Sequence, residues 1–322
     1  MTVPAASALS ERVSASGVEP SPPVGRRDLN TKKLARLGWA FSAPAMLVVG
    51  AVTIFPIVFS VVLSLSHVAI TGNGFVLGGF TLGNYRALLN SGRWRYDLGF
   101  TFGYTVVTVL VELIIGTAFA LVLERLQAAR GMMMALLLIP WSMITVISAE
   151  LWSYIYNGTY GVLNAIVAPF VSHPIVFLGT PVSAIIAMMV ADIWKTTPFV
   201  TIIVLAGLVM LPDDLYEAAE VDGASGWSTF WKVTFPLLRP TLALAVLFRV
   251  LQAFGLFDLP YVLTSGAPGH ATESLALLGY EVMFSYFQFG PGAAIAASTA
   301  LIVLVVCLAF LKVFRSQIGS EA

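Results

Sequence analysis

Charged side chains are scarce in this chain. They make up 11% of 322 residues, and 17 Lys and Arg balance 17 Asp and Glu, so the formal net charge is zero. Without a basic surplus to neutralise phosphates, a nucleic-acid partner is excluded. The single cysteine, Cys307, rules out a disulfide within the chain. The three histidines, His67, His173 and His270, are far apart in sequence, so we expect no metal site.

The motifs of common enzymes are also missing. No glycine-rich loop ends in Gly-Lys-Ser or Gly-Lys-Thr, and neither H-E-x-x-H nor G-x-S-x-G occurs. A chain without that loop lacks the backbone cradle that holds the phosphates of ATP. We therefore expect a protein that is not an enzyme and binds no cofactor, and any energy from ATP must come through another chain.

Apolar residues, in contrast, are abundant. They account for 58% of the chain, and the mean hydropathy is +0.89, which is typical of a polytopic membrane protein. A bilayer core of roughly 30 Å needs about 20 apolar helical residues. The sequence therefore predicts an all-α protein with six transmembrane helices, at about residues 38–65, 99–123, 132–153, 181–210, 241–263 and 291–314.

The ends of the chain have a different composition. Residues 1–31 are rich in Ser, Pro, Ala and Val without periodicity, which predicts a disordered tail. We expect the membrane domain to cover residues 32–316 and a short C-terminal tail to cover 317–322. Residues 158–171 alternate apolar and small side chains as a short interfacial helix does.

Positive charges predict the orientation of the helices. One set of loops and both ends carry the basic side chains Arg26, Arg27, Lys32, Lys33, Arg36, Arg125, Arg130, Lys232, Arg239, Lys312 and Arg315. The opposite side has Arg86, Arg93 and Arg95 in its first loop, but residues 154–180 and 264–288 contain no Lys or Arg. Both termini are therefore predicted to be cytoplasmic, in a multi-pass protein of the cell membrane.

Two of the predicted spans carry polar interruptions. Asp192, Lys195 and Pro198 lie in the fourth span, and Arg249 lies in the fifth, which ends in the polar Asp258. Charges are costly in lipid, so these faces are expected to turn toward protein or water. Asp192 and Lys195 are three residues apart on one helix face, which predicts a local ion pair. The alternative is that Lys195 reaches the interface or pairs with Glu112 or Glu150.

A short polar stretch between the fourth and fifth spans carries the most specific pattern. Residues 217–223 read E-A-A-E-V-D-G, and Val233-Thr234-Phe235-Pro236 follows. The stretch predicts a surface helix that opens near Pro212, turns at Gly223 and restarts toward Trp231. Consecutive alanines let a partner approach closely, and glycine can take the left-handed conformation that a sharp turn needs.

This stretch resembles the EAA loop of the permease subunits of ATP-binding-cassette (ABC) importers. The family pattern is E-A-A, three residues, G, nine residues, then I-x-L-P, and only Val233 and Phe235 depart from it. Residues 257–268, F-D-L-P-Y-V-L-T-S-G-A-P, resemble the F-D-x-x-Y-V-L-T-x-G-G-P stretch of carbohydrate importers, with Ala267 in place of a glycine. Asn84-Tyr85 also matches a family feature, and residues 192–199 are similar to actinobacterial trehalose-type permeases. The resemblance covers about residues 35–316.

The resemblance implies an ABC type I importer permease fold with a cytoplasmic coupling helix in the loop 212–236. It implies a sugar importer for a disaccharide such as trehalose, in which this chain forms a heterodimer with a second homologous permease. Two cytoplasmic ATPase subunits would bind ATP and Mg, and an extracytoplasmic binding (lipo)protein would deliver the sugar.

The resemblance also implies two groups of site residues. Those expected to couple to the ATPase are Glu217, Ala218, Ala219, Asp222, Gly223 and Pro236. Alignment through the two motifs places Gln252, Ala253 and Leu256 at sugar-contact positions of the fifth span, and Asp192 and Phe199 at equivalent levels of the fourth. Trp141, Trp152 and Trp194 are further stacking candidates, although packing or interfacial anchoring explains each tryptophan equally well.

Three other interpretations remain open at this point. The chain is a permease for another solute such as glycerol phosphate, a polyol or an amino sugar. It is an ion-coupled secondary transporter, although no internal repeat is visible. Or it is a scaffold subunit that transports nothing, which leaves the E-A-A loop without a role. Co-purification with an ATPase separates the importer from the last two.

Overall fold

The computed structural model of the protein describes residues 31–71, 74–126 and 129–318. The predicted tails, residues 1–31 and 317–322, lie outside the described residues except for residues 31, 317 and 318, which are helical. The chain divides into two compact units, residues 1–57 and residues 58–322. In the first unit, the described residues 31–57 are helical and most of their apolar side chains from Leu37 onward are exposed. Exposed apolar side chains along a helix are what contact with lipid requires.

The structure is mainly helical. The helices are α1 (Thr31–Ser64), α2 (Gly83–Asn90), α3 (Gly92–Arg125), α4 (Arg130–Ser142), α5 (Thr145–Tyr156), α6 (Val162–Val167), α7 (Pro181–Val209), α8 (Asp214–Val221), α9 (Gly226–Thr229), α10 (Phe235–Phe254), α11 (Asp258–Leu263), α12 (Leu275–Tyr280) and α13 (Phe289–Ile318). A 3₁₀ turn (Ala168–Phe170) follows α6, and π-helical turns, Phe230–Thr234 and Glu281–Ser285, precede α10 and follow α12.

Within the described residues, five helical stretches are long and apolar enough to cross a bilayer, and the bent pair α4–α5 makes a sixth candidate. The all-α prediction with six spans is therefore confirmed, and α6 confirms the short helix expected within 158–171. Two predicted spans need correction. The third is broken, because Met143 and Ile144 are extended and the axes of α4 and α5 differ by 90°. Pro140 lacks an N–H donor, which weakens the helix before this break.

The predicted fifth span, 241–263, is wrong at both ends. A continuous helical stretch runs from Gly226 to Phe254, where α10 ends, and Gly255 follows as its C-cap. Glycine has low helix propensity, and α11 starts a separate turn at Asp258. The second and fourth spans begin at Ser91 and Thr180, whose side chains accept hydrogen bonds from the backbone N–H groups of Trp94 and Ser183. Such caps satisfy donors that a helix leaves unpaired.

An antiparallel hairpin was not predicted in the first outward loop. Strands β1 (Ser66–Thr71) and β2 (Gly74–Phe80) pair in the register Val68 to Leu77, with an irregularity between Ser66 and Val68. Asn84, one of the residues of the family resemblance, donates from its side-chain amide to the backbone oxygens of Ser64 and Ser66. Asn84 therefore joins the end of α1 to the start of the hairpin.

Helices α3 and α7 form the centre of the second unit. They come close at Gly116, where an added Cβ would lie 2.8 Å from Val200 Cγ1. Two buried apolar clusters lie along these helices, and the second of them contains Val200. One contains Tyr104, Ala149, Tyr156, Ala187, Met188, Ala191, Leu259 and Leu263, and the other contains Ala120, Leu123, Val200, Val204, Leu205, Leu208, Leu238 and Ala245. Polar side chains of α3, α7 and α10 occupy the level between the clusters.

Candidate functional site

A buried polar network joins α3, α7 and α10. Arg249 is 2% exposed, and its Nε and Nη2 atoms both donate to the carboxylate of Glu112, which is fully buried. Nη2 also lies 3.4 Å from Asp192 Oδ2, and Asp192 accepts a 3.2 Å bond from the hydroxyl of Tyr104. Thr196 donates to Glu112 over 2.6 Å. A buried charge is tolerated when it is paired and hydrogen-bonded, so this network explains how Arg249 is accommodated within a span.

The predicted local pair of Asp192 and Lys195 is wrong. The cation that faces Asp192 is Arg249, from another helix, and Lys195 has no ion pair within 4 Å in the part of the chain that the structure describes. Spacing on α7 alone indicated that the two side chains share a face, but the side chain of Asp192 turns toward α3 and α10. The alternative partners named for Lys195, Glu112 and Glu150, do not pair with it either: Glu112 is bound by Arg249, and Glu150 is exposed.

An aromatic and polar strip lies on the surface beside this network. Trp141 of α4 stacks on Phe199 of α7 with ring centroids 6.0 Å apart, and Phe199 meets Phe248 of α10 edge-on at 6.1 Å. Gln252 is four residues after Phe248, so the two side chains share a face of α10. Trp141 is 43% exposed, Phe248 is 44% exposed, and Gln252 is also exposed. We call Trp141, Phe199, Phe248 and Gln252 the aromatic strip.

The other predicted path residues lie apart from the aromatic strip. Trp194 packs edge-on against Trp152 at 5.6 Å, and Leu256 is half-buried against the cluster that contains Tyr104. Ala253 is 2% exposed. Asp192 is 6% exposed, so its carboxylate lies behind the aromatic strip and connects to Gln252 only through Arg249. The structure thus brings Trp141, Phe199 and Gln252 together and leaves Trp194 and Leu256 elsewhere.

The loop that carries the E-A-A pattern forms the helix-turn-helix that the sequence predicts. Helix α8 presents Glu217 and Ala218 to solvent, and Ala219 is half-buried. Gly223 ends this helix with a φ of +72°, in the left-handed region that favours glycine. An added Cβ would have no atom within 4 Å. Within this chain, therefore, backbone conformation and not lack of space favours glycine at this position.

The other residues that are predicted to couple to the ATPase lie in the turn and at the start of α10. Asp222 is exposed beside Gly223, and Pro236 is the second residue of α10, which directly follows the π-helical turn. Thr234 donates to the hydroxyl of Tyr216 over 3.4 Å, which ties the second half of the loop to α8. A cavity of about 1140 Å³ separates the loop from α3, and its lining includes Trp227, Trp231, Glu124 and Arg125.

A charged cluster lies near the other end of α3. Arg93 forks onto Glu273 with distances of 2.8 and 2.5 Å and also donates to Glu281 at 2.5 Å, while His270 Nδ1 lies 3.0 Å from Glu273. His270, Glu273 and Glu281 could together ligate a metal ion by distance. The guanidinium of Arg93 already lies between both carboxylates, however, and it supplies the positive charge that the cluster needs.

The fold, the buried network and the exposed loop define a polytopic membrane protein with a short surface helix, α8, between two of its spans. Residues 127–315 match the family described as "Binding-protein-dependent transport system inner membrane component". The chain belongs to this family, whose members are membrane-embedded transport subunits and not enzymes.

Curated relatives and solved structures agree with this assignment. The chain is 40% identical over 283 residues to the trehalose/maltose transport system permease protein MalF of Thermococcus litoralis, covering 87% of this chain and 94% of that protein. It is 37% identical over 281 residues to the trehalose transport system permease protein SugA of Mycobacterium tuberculosis, covering 87% and 89%. A permease chain in the crystal structure of a bacterial alginate ABC transporter, in complex with alginate pentasaccharide-bound periplasmic protein, matches with a TM-score of 0.75. That match covers 87% of this chain and 94% of that chain, and at 19% identity it shows the fold alone.

Sequence reasoning missed several residues of the site. Phe248 bridges Phe199 and Gln252 but carries no polar signal in an apolar run. Glu112 of α3 accepts from the guanidinium of Arg249 and Tyr104 of α3 donates to Asp192, and the sequence gave only a hint of the first of these contacts. Glu112 is the one acidic residue inside the second predicted span, just as Arg249 is the one basic residue inside the fifth. Pairing opposite charges between spans would have found this contact.

Proposed function

We propose that this chain is the membrane-spanning subunit of an ATP-driven importer that translocates a sugar, most simply a disaccharide of the trehalose type. The observation that carries the proposal is the aromatic strip. The strip consists of three aromatic rings, those of Trp141, Phe199 and Phe248, followed by the side-chain amide of Gln252. A sugar offers apolar ring faces for stacking and hydroxyl groups for hydrogen bonds, so this pairing of side chains suits it. Relatives named for trehalose and maltose transport support the same substrate class.

Substrate contact is assigned to the aromatic strip, with Trp141, Phe199 and Phe248 supplying stacking surfaces and Gln252 a hydrogen-bonding group. Asp192 acts from behind it, through Arg249. Leu256, which alignment also places at a contact position, and Trp194, a further stacking candidate, lie apart from the aromatic strip, against Trp152 and the cluster that contains Tyr104. Alternating access would expose the aromatic strip to each side of the membrane in turn.

The loop of residues 212–236 is proposed to couple this movement to an ATPase. Glu217 offers polar contacts, Ala218 and Ala219 permit close approach, and Asp222, Gly223 and Pro236 shape the two ends of the turn. The partners are two cytoplasmic ATPase subunits that bind ATP and Mg, a second homologous permease and an extracytoplasmic binding protein. In this arrangement no cofactor is needed in the chain itself, and both termini face the cytoplasm together with the loop.

A second candidate substrate class is an anionic solute, such as a glycerol phosphate. Lys195 favours it, because this half-buried cation has no ion pair in the described residues and shares a face of α7 with Phe199. A phosphate would supply the charge that Lys195 lacks. Uptake of radiolabelled trehalose is measured in the presence of excess unlabelled trehalose or excess unlabelled glycerol phosphate. Inhibition by trehalose alone indicates the sugar class, and inhibition by glycerol phosphate indicates the anionic class.

Reconstitution of the complete complex tests the proposal. The chain should co-purify with an ATPase, and proteoliposomes should take up radiolabelled trehalose only with ATP and the binding protein present. A protonophore should leave this uptake unchanged, since an ion gradient is not the driving force. Gln252→Leu should raise KM for the sugar, while Leu251→Ala, an exposed neighbour on another face of α10, should not. Uptake that follows an ion gradient without ATP would contradict the proposed function.

A further inference from the structure

The amide of Gln252 is held in one orientation by the buried network. Arg249 Nη1 donates to Gln252 Oε1 over 3.0 Å, and a guanidinium has donors but no acceptor. Only the carbonyl oxygen of the amide can face Arg249. The NH₂ group must therefore point away from the guanidinium, toward the exposed side of α10.

Arg249 is itself fixed by two other helices. Glu112 of α3 accepts from Nε and Nη2, and Asp192 of α7 lies 3.4 Å from Nη2, so two nitrogens are engaged behind the helix. Nη1 remains for Gln252, three residues along α10. The guanidinium is planar and rigid, so the orientation of its two engaged nitrogens sets the direction in which the third points. The positions of α3 and α7 therefore determine the orientation of the exposed Gln252 amide.

We propose that Arg249 is a positioning residue for the transported solute: it locks Gln252 so that the amide NH₂ is presented as a hydrogen-bond donor beside the rings of Phe248 and Phe199. This inference rests on the proposed function, since it requires Gln252 to lie in the path. It deepens that function by naming the recognised chemistry, an acceptor oxygen such as a sugar hydroxyl. An unanchored glutamine would sample several rotamers and lose side-chain entropy on binding, whereas an anchored one has already lost it.

Uptake kinetics of the complete transporter in proteoliposomes test the inference. Arg249→Lys keeps a positive charge for Glu112 and Asp192 but removes the planar fork. We expect KM for trehalose to rise about fivefold to tenfold, the loss of one net hydrogen bond. Gln252→Leu should raise KM by a similar factor. In the double variant, KM should rise no further than in the more affected single variant, because Arg249 acts through Gln252. Arg239→Lys, the same exchange on the same helix outside the network, should leave KM unchanged.

A second variant, at the exposed Gln252, keeps the inference testable if the Arg249→Lys complex fails to assemble. Gln252→Asn keeps the NH₂ group but is one methylene shorter, so its oxygen no longer reaches Arg249 Nη1, and KM should rise as in Gln252→Leu. If Gln252→Leu raises KM while Arg249→Lys and Gln252→Asn do not, the positioning role is overturned and the path survives. If Gln252→Leu leaves KM unchanged, the path assignment itself fails. A fall in complex yield or maximal rate with KM unchanged marks Arg249 as merely structural and also overturns the inference.

Discussion

At the scale of single residues, Arg249 shows how a charge is kept inside a span. Two carboxylates from other helices, Glu112 and Asp192, lie against it, and Tyr104 and Thr196 supply hydroxyl donors. Removing one partner of a buried ion pair leaves the other charge without compensation, whereas replacing both by apolar side chains is far less harmful. The network therefore predicts that the double substitution of Glu112 and Arg249 destabilises the protein by less than the sum of the two single substitutions.

Glu112→Leu and Arg249→Met should each destabilise the complex by about 3–5 kcal/mol. The double variant should lose clearly less than the sum, because no charge of that pair is left unpaired. Thermal unfolding of the detergent-purified complex measures all three. Lys195→Met serves as the control, since this half-buried lysine has no ion pair in the described residues, and its stability should stay near that of the parent. Additive losses would show that Glu112 and Arg249 act independently.

Gly223 gives a prediction in which backbone conformation is separated from space. Its φ of +72° is strained for a β-branched residue, but a Cβ there meets nothing within 4 Å. Gly223→Val should destabilise the turn by about 1–2 kcal/mol and weaken both ATPase retention and substrate-stimulated hydrolysis. Gly223→Asn should be milder, since asparagine tolerates the left-handed region. Gly226→Ala, at an open position without positive φ, is the matched control. Equal effects of Val and Asn would mean that contact with the partner, and not φ, selects glycine.

At the scale of elements, α3 and α7 approach each other closely at Gly116. Gly116→Ala would place a methyl group 2.8 Å from Val200 Cγ1, 3.0 Å from Val200 Cβ and 3.2 Å from the backbone nitrogen of Thr201. Overpacking of this kind destabilises by about 1–3 kcal/mol. Gly103→Ala lies in the same helix with nothing within 4 Å, and alanine favours helix, so it should be neutral or stabilising. Thermal unfolding should therefore give a lower Tm for Gly116→Ala than for Gly103→Ala. A lower Tm for Gly103→Ala would contradict the close contact.

The elements also show what sequence can and cannot predict. Apolar length located six spans, and the E-A-A pattern with Gly223 and Pro236 located α8 and its turn, because these signals are local. The break at Met143 and Ile144 escaped prediction, since an apolar run of the right length says nothing about two extended residues within it. The hairpin of β1 and β2 has a sequence too rich in glycine to give a clear alternation. The partner of Asp192 was missed because pairing between helices depends on their rotation, which spacing along one helix cannot reveal.

At the scale of the whole molecule, topology in the membrane is the property to test. In a Cys307→Ser background, Val221→Cys on α8 should react with a membrane-impermeant maleimide only from the cytoplasmic side. His173→Cys should react only from outside. Both side chains are exposed in this chain, and expression without the ATPase subunits keeps α8 uncovered, so a missing reaction would reflect sidedness. Labelling of the two cysteines from the same side of sealed cells would contradict the orientation that the positive charges predict.

The ion pair of Glu112 and Arg249 joins residues 137 positions apart, which has a consequence for how the chain is made. Translation at about 5–20 residues per second separates the two by roughly 7–27 s. During this interval Glu112 has left the ribosome in a span whose counter-charge has not yet been synthesised. Insertion scales put one charge at mid-membrane at about 2.5–3.5 kcal/mol, which the many apolar residues of α3 offset, so this helix can enter the bilayer before its partner exists. Formation of the buried ion pair is accordingly a late event of biosynthesis, and a ribosome that stalls before residue 249 leaves Glu112 without its counter-charge.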